Sequence, residues 1–236
     1  MISAQEKSSI GVPPVAARSH ENTGETPALL ETPVLQYFNP YGGLSISARN
    51  LPHWEQQDAI YFITFRLADS LPKGKLVQWQ EERHQWLKAH PEPLSEDDQE
   101  EYSKQFPERL NQWLDAGAGA CILKQQEVGE IVATALNYFN GQRYNLYDFV
   151  VMPNHVHLLV QPISGNNLSK IMHSWKSFTA HEITKHLNQA GMIWQDESYD
   201  HLVRNEEEYL HFRRYIANNP EKAGLSFGVI SHSTVG

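Results

Sequence analysis

The hydrophobic positions change period several times along the chain, and each change marks an element. Residues 60–67 (IYFITFRL) form a run of aromatic and β-branched side chains, the composition of a strand. Asp69-Ser70-Leu71-Pro72 ends it and opens a helix, which Leu76, Trp79, Trp86 and Leu87 carry to about His90. Ser95 followed by Asp98 is an N-cap signal, so one or two short helices are expected in the polar segment 91–120 before its loose Ala-Gly-Ala-Gly tail. From Glu127 to Phe139 the apolar residues Val128, Ile131, Val132, Ala135, Leu136 and Phe139 fall three and four apart, which predicts an amphipathic helix. Asn140-Gly141 is its stop. Strands follow at about 144–151 and 155–161, interrupted at Met152-Pro153-Asn154 because proline cannot donate to a central ladder. A long helix from Leu168 to about Asn188 comes next, and 192–203 reads as short strands or a loop. The last helix is predicted from about Asn205 to Asn219, stopping before Pro220.

The order is strand, helix, strand pair, helix, short strand, helix. It predicts an α+β fold with a ferredoxin-like antiparallel sheet and helices packed on one face. The strand at 155–161 is placed centrally, since its flanks are apolar on both sides of the pleat. Residues 1–32 lack periodicity and are rich in Ser, Thr, Pro, Glu and Ala, so a disordered leader is expected there, with the folded domain over 50–228.

Composition narrows the class. With 236 residues and 40% hydrophobic side chains, the chain can build one sizeable core. Its one cysteine, Cys121, rules out a disulfide framework within the chain and fits a reducing cytoplasm. No apolar run reaches bilayer length, so no membrane partner is expected. The net charge of −9 opposes binding to nucleic acid, but it is unevenly spread. Residues 1–120 hold 10 basic and 17 acidic side chains, against 9 and 11 in 121–236. Local fields decide where a polyanion docks, and the second half is nearly balanced.

The candidate chemistry lies in that half. In HVHLLV, His155 and His157 are two residues apart on a strand and point the same way. Two neutral imidazoles on one face are half of a site for a divalent metal, although an H-x-H pair alone also suits two hydrogen-bonded structural histidines. In the last helix His211, Tyr215 and Asn219 recur every four residues and share one stripe, beside Arg213 and Arg214. A phenol among arginines, one turn from an amide, suits phosphoryl transfer: the phenolate attacks phosphorus and cations neutralise the charge. The bland alternative is an amphipathic helix whose tyrosine packs its ring and wets its hydroxyl.

Four blocks carry a family resemblance: MPNHVHLLV, WKSFTA at Trp175–Ala180, IWQDESYDHLVR, and YIANNPEKAGL at Tyr215–Leu225. Their order and spacing resemble the REP-associated tyrosine transposases of the single-tyrosine HUH nuclease superfamily, over about residues 50–228. The acidic segment 91–120 is longer than in the shortest members. The resemblance implies the HUH nuclease fold. It implies that His155 and His157 bind Mg2+ or Mn2+, that Asn219 completes the metal site, and that Tyr215 attacks single-stranded DNA to form a 5′-phosphotyrosine link. The implied substrate is hairpin-forming repeat DNA, handled by a monomer or homodimer. His211 is a candidate to orient or deprotonate Tyr215. Lys176, Arg204, Arg213 and Arg214 are candidate phosphate contacts, and Trp194 could stack a base or pack in the core. Two other readings stand beside this one. A catalytically inactive single-stranded nucleic-acid-binding module would keep the fold without using Tyr215. A metal-dependent hydrolase would use the histidines to activate water, but the sequence shows no carboxylate near H-x-H to serve as its base.

Overall fold

The computed structural model describes residues 34–48, 52–91, 95–222 and 229–232; the leader expected over 1–32 lies outside them. Strands β3 (Tyr61–Arg66), β4 (Tyr144–Val151), β5 (His155–Pro162), β6 (Tyr199–Leu202) and β7 (Val229–His232) form one sheet in the order β6-β3-β5-β4-β7. Every pairing is antiparallel. Helix α4 (Gln126–Asn137) connects β3 to β4 and helix α5 (Leu168–Leu187) connects β5 to β6. The first four strands in sheet order, with these two crossovers, follow the ferredoxin-like plan. A separate two-stranded sheet of β1 (Leu44–Ala48) and β2 (Pro52–Gln56) precedes them. Neither β1 nor β7 had a counterpart among the elements read from the sequence.

Alternation along the central strands sorts side chains into two layers. Val156, Leu158 and Val160 of β5, with Tyr61, Ile63 and Phe65 of β3, bury against Val128, Val132 and Leu136 of α4 and Ile171 and Trp175 of α5. Trp194 belongs to this core: it packs edge-on against Phe65, and its Nε1 donates to Thr179 Oγ1 at 2.8 Å. Packing is therefore its role, as the simpler reading of a tryptophan held.

The one-face arrangement applies to the two crossover helices. Helix α6 (Glu206–Lys222) adds a second layer across the opposite face, where Phe62 and Leu159 meet Tyr209, Phe212 and Ile216. All eight positions of β5 are buried, and burial on both faces requires a cover on each. Asn205 and Glu208 start α6 reciprocally, Glu208 N–H bonding Asn205 Oδ1 at 2.9 Å while the Glu208 carboxylate accepts from Arg204 N–H at 2.6 Å. The predicted stop before Pro220 is corrected, because the helix continues through Pro220 to Lys222. In the last turn the missing N–H removes one helical hydrogen bond only, and Pro220 is buried.

A register shift in β4 between Leu146 and Phe149 turns both Tyr147 and Asp148 toward α6. Asp148, only 1% exposed, accepts a hydrogen bond from Arg213 Nε at 2.6 Å. The bulge thus gives α6 a polar anchor beside its apolar one.

The segment 91–120 builds its own small core. Helix α1 (Lys73–Ala89) packs Trp79 and Trp86 on Phe106, Leu110 and Leu114. Phe106 comes from a π turn at Lys104–Glu108 and the two leucines from α3 (Arg109–Asp115), while α2 (Glu96–Ser103) adds the half-buried Tyr102. Ser95 caps α2 as expected, accepting from Asp98 N–H at 3.1 Å. Arg109 bonds Glu82 of α1 at 2.5 Å, and Trp79 Nε1 donates to the Phe106 carbonyl. After α3 the chain turns back to the sheet, with Ala120 N–H bonding Asp69 Oδ2 at 2.7 Å and Leu123 N–H bonding the Pro153 carbonyl at 3.2 Å. Gly119 makes that return possible. Its φ is +90°, and a Cβ there would lie 2.6 Å from the Asp69 carbonyl oxygen. Among the described residues no helix is long and apolar enough to cross a membrane.

Gly119→Ala must strain the backbone and push the tail of the segment off Asp69 at once. A loss of about 1–3 kcal/mol is expected from urea unfolding of the full chain, whereas Gly117→Ala, with open space around it, should lose less.

Candidate active site

His155 and His157 project from β5 toward α6, and both are completely buried. Thr64 lies opposite His157 in the register of β3 with β5, and Phe62 sits one pleat further along the same face. Phe62 forms the floor of the site. It stacks on the His157 ring with centroids 5.5 Å apart, stacks on Phe212 at 4.2 Å, and meets Tyr215 edge-on at 5.8 Å.

Hydrogen bonds assign the ring nitrogens in sequence. The Ala118 carbonyl can only accept, so Asn154 turns its Nδ2 toward it, at 2.9 Å. Asn154 Oδ1 then faces His155 Nδ1 at 2.7 Å, and that nitrogen must carry the proton. His155 Nε2 is left with its lone pair directed inward, 2.9 Å from His157 Nε2. His157 Nδ1 lies 2.7 Å from Thr64 Oγ1, a hydroxyl able to donate or accept. The pair is therefore stable in two ways. Either His157 Nε2–H donates to His155, or a cation takes that proton's place while Thr64 accepts from His157 Nδ1. Such partners on the outer ring nitrogens are the usual support of metal-bound histidines.

Burial drives His155 down to about 3 and holds His157 well below the usual imidazole range, helped by the neighbouring ring. Both are neutral near pH 7, the form that binds metal.

A carboxylate joins them. Asp115, at the end of α3, brings Oδ1 within 3.6 Å of His155 Nε2, and one ligand atom from each of Asp115, His155 and His157 falls within 4.8 Å of the others. Two imidazoles and a carboxylate are a donor set for a divalent cation. Asp115 was absent from the sequence reading, which treated 91–120 as open in role. It lies 40 residues from His155 and carries no local motif. Thr64 and Asn154 were missed as well, although Asn154 stands directly before the histidine pair.

Tyr215 enters from α6, its ring 5.2 Å from that of His157. Burial is the main cause that raises its pKa, and the charges of Asp115 and Glu108 raise it further; the neighbouring Asn219 side chain works the other way. Asn219 is completely buried one turn beyond. The structure thus brings together His155, His157, Tyr215 and Asn219, as their shared stripe and strand face predicted.

The remaining candidates are placed differently. His211 is exposed and meets Phe212 edge-on. Arg213 is engaged by buried Asp148 and lies over the Tyr209 ring, so holding α6 to the sheet is its visible task. Lys176 Nζ donates to the Asp196 carbonyl at 2.8 Å. Arg204 and Arg214 are exposed, Arg204 just before the start of α6.

Residues 122–219 match the family described as IS200-like transposases. The match contains His155, His157, Tyr215 and Asn219 and excludes Asp115. An uncharacterized protein of Haemophilus influenzae is 25% identical over 95 residues, 31% of this chain and 52% of that protein; the chain spans about half the length of this curated relative. Among solved structures, a REP-associated tyrosine transposase bound to a REP hairpin aligns with TM-score 0.37 and 16% identity, over 73% of this chain and 77% of that one. A Deinococcus radiodurans protein assigned as a transposase aligns with TM-score 0.33 and 15% identity, over 78% and 98%.

Because the folded chain holds both imidazoles neutral and the unfolded chain does not, acid favours unfolding. The stabilising contribution of the buried neutral rings is fully present above the unfolded value of about 6.5 and is lost as pH falls toward about 3. Thermal melts of metal-free protein between pH 7 and pH 4 should show this loss, at up to about 1.4 kcal/mol per pH unit for each ring. A flat profile would contradict the burial of the pair.

Proposed function

We propose that this chain, whose residues 122–219 match the IS200-like transposases, cleaves and rejoins single-stranded DNA through a covalent bond to Tyr215. The observation that carries this reading is the placement of a buried tyrosine hydroxyl against two neutral imidazoles, with Asn219 one turn away. The substrate class is DNA that exposes a single strand beside a hairpin or repeat.

His155, His157 and Asn219 would hold a divalent cation, Mg2+ or Mn2+. When bound, it supplies Lewis-acid polarisation of a non-bridging phosphate oxygen and lowers the cost of forming a phenolate nearby. Tyr215 gives up its phenolic proton and forms an O–P bond, while the P–O3′ bond breaks. The departing 3′ oxygen takes up a proton and leaves as a free hydroxyl. The phosphotyrosine conserves the energy of the broken ester, so a 3′-hydroxyl can attack in reverse and restore the phenol. The Asn219 amide beside Tyr215 would favour the phenolate. Phe62 and Phe212 keep the Tyr215 ring against the imidazoles. Arg204 and Arg214, exposed beside the start and middle of α6, are suited to flanking phosphates.

Asp115 also favours a second reading, in which a carboxylate near the histidines serves as base for a hydrolytic water. Tyr215→Phe separates the two. Incubated with Mn2+ and a hairpin oligonucleotide bearing a single-stranded flank, the unaltered chain should yield a protein–DNA adduct that survives denaturing electrophoresis. The variant should yield none. Adduct formation by Tyr215→Phe would overturn the covalent reading, and strand scission by it without adduct would favour hydrolysis.

A further inference from the structure

We propose that Asp115, delivered by the 91–120 segment, is the anionic ligand of the divalent cation held by His155 and His157. This deepens the reading of the site as a metal centre and rests on it.

Three features argue for ligation. First, Asp115 Oδ1, His155 Nε2 and His157 Nε2 converge within 4.8 Å, although Asp115 comes from a separate small core. Second, the tautomer fixed by Asn154 leaves His155 Nε2 an acceptor, and a carboxylate oxygen is an acceptor too. At 3.6 Å the two direct lone pairs toward shared space, an arrangement suited to a cation between them. Third, the other donors at the site are neutral, two imidazoles and an amide, and offer a divalent cation no charged oxygen ligand. Two imidazoles alone hold Mg2+ or Mn2+ poorly, since both prefer oxygen donors. An added carboxylate supplies the missing hard, charged ligand.

The position of Asp115 is built rather than incidental. On its N-terminal side, α3 is fixed to α1 by Leu110, Leu114 and the Arg109–Glu82 pair. On its C-terminal side, the Ala118 carbonyl takes Asn154 Nδ2 and the Ala120 N–H binds Asp69. The same short stretch therefore brings a ligand to the metal and sets the tautomer of His155. The family-matched residues 122–219 contain neither.

The test is Mn2+ binding to the full chain, followed by loss of the free-ion electron paramagnetic resonance signal without DNA present. Asp115→Asn should weaken binding by roughly 10–100-fold. Glu108→Gln, which removes a charge from the same segment without removing a converging ligand, should change it by less than about twofold on the exposed-charge scale. Asp115→Cys should bind Cd2+ at least about tenfold more tightly than Asp115→Asn does, because a thiolate prefers the softer ion. Unchanged Mn2+ affinity in Asp115→Asn, or no gain of Cd2+ affinity in Asp115→Cys, overturns the assignment of Asp115. His155→Ala makes the two failures distinguishable. If it loses Mn2+ while Asp115→Asn does not, the metal centre stands and only Asp115 is misassigned; if it too binds normally, the metal centre itself is wrong.

Discussion

The Asn154 side chain carries more of this structure than its size suggests. One amide receives nothing but a backbone carbonyl on one side and an imidazole on the other, and each contact fixes the next. The Ala118 carbonyl orients Asn154, Asn154 places the proton of His155 on Nδ1, and His155 then directs a bare nitrogen at His157. Removing any link leaves a buried polar group unsatisfied, at a cost of about 1–3 kcal/mol. The same link attaches the 91–120 segment to the sheet beside the histidine pair. That contact is possible because Met152-Pro153-Asn154 leaves the ladder between β4 and β5, which frees both an amide side chain and the Pro153 carbonyl to receive the returning chain.

The other half of the site depends on how α6 is held. Its apolar face packs on Phe62 and Leu159, but apolar contact alone fixes rotation loosely. Two polar contacts remove that freedom. Asp148, turned inward by the β4 bulge, grips Arg213 from the sheet, and Glu208 joins the helix start to His201 of β6 at 2.8 Å. Tyr215 lies two residues beyond Arg213 and so takes its direction from these anchors. Phe62 links the halves, since it contacts His157 on one side and Phe212 and Tyr215 on the other.

The order of the main elements and the pairing of two histidines with a tyrosine stripe were legible because they rest on periodicity. Alternation placed His155 and His157 on one face, and four-residue spacing placed Tyr215 above Asn219. What escaped depends on contacts without local pattern. Asp115 reaches the site only through the packing of Trp79, Trp86, Phe106 and Leu114, which sets where α3 ends. The β4 bulge falls between Leu146 and Phe149, where YNLYDFVV offers no glycine or proline to mark the extra residue. The Arg213–Asp148 contact escaped because a charged residue on a helix gives no sign of an acid buried 65 positions away. The stop at Pro220 failed for the opposite reason: a local rule was followed where a buried last turn outweighed one lost hydrogen bond.

An acidic segment beside a site for a polyanion poses a problem of charge, and the arrangement of α2 and α3 resolves it. Within the run Glu96–Glu101 on α2, Glu101 accepts from Trp86 Nε1 and Asp98 bonds the capping Ser95. At the far end Asp115 meets the imidazoles, where its charge is useful to a cation and is cancelled by it. Solvent and salt screen exposed carboxylates over about 8–10 Å, whereas Asp115, its side chain 22% exposed, is near enough to Tyr215 for its charge to oppose the phenolate. On the proposed reading a divalent ion beside Asp115 would cancel that charge where phosphate approaches, so accepting DNA and binding metal would depend on each other.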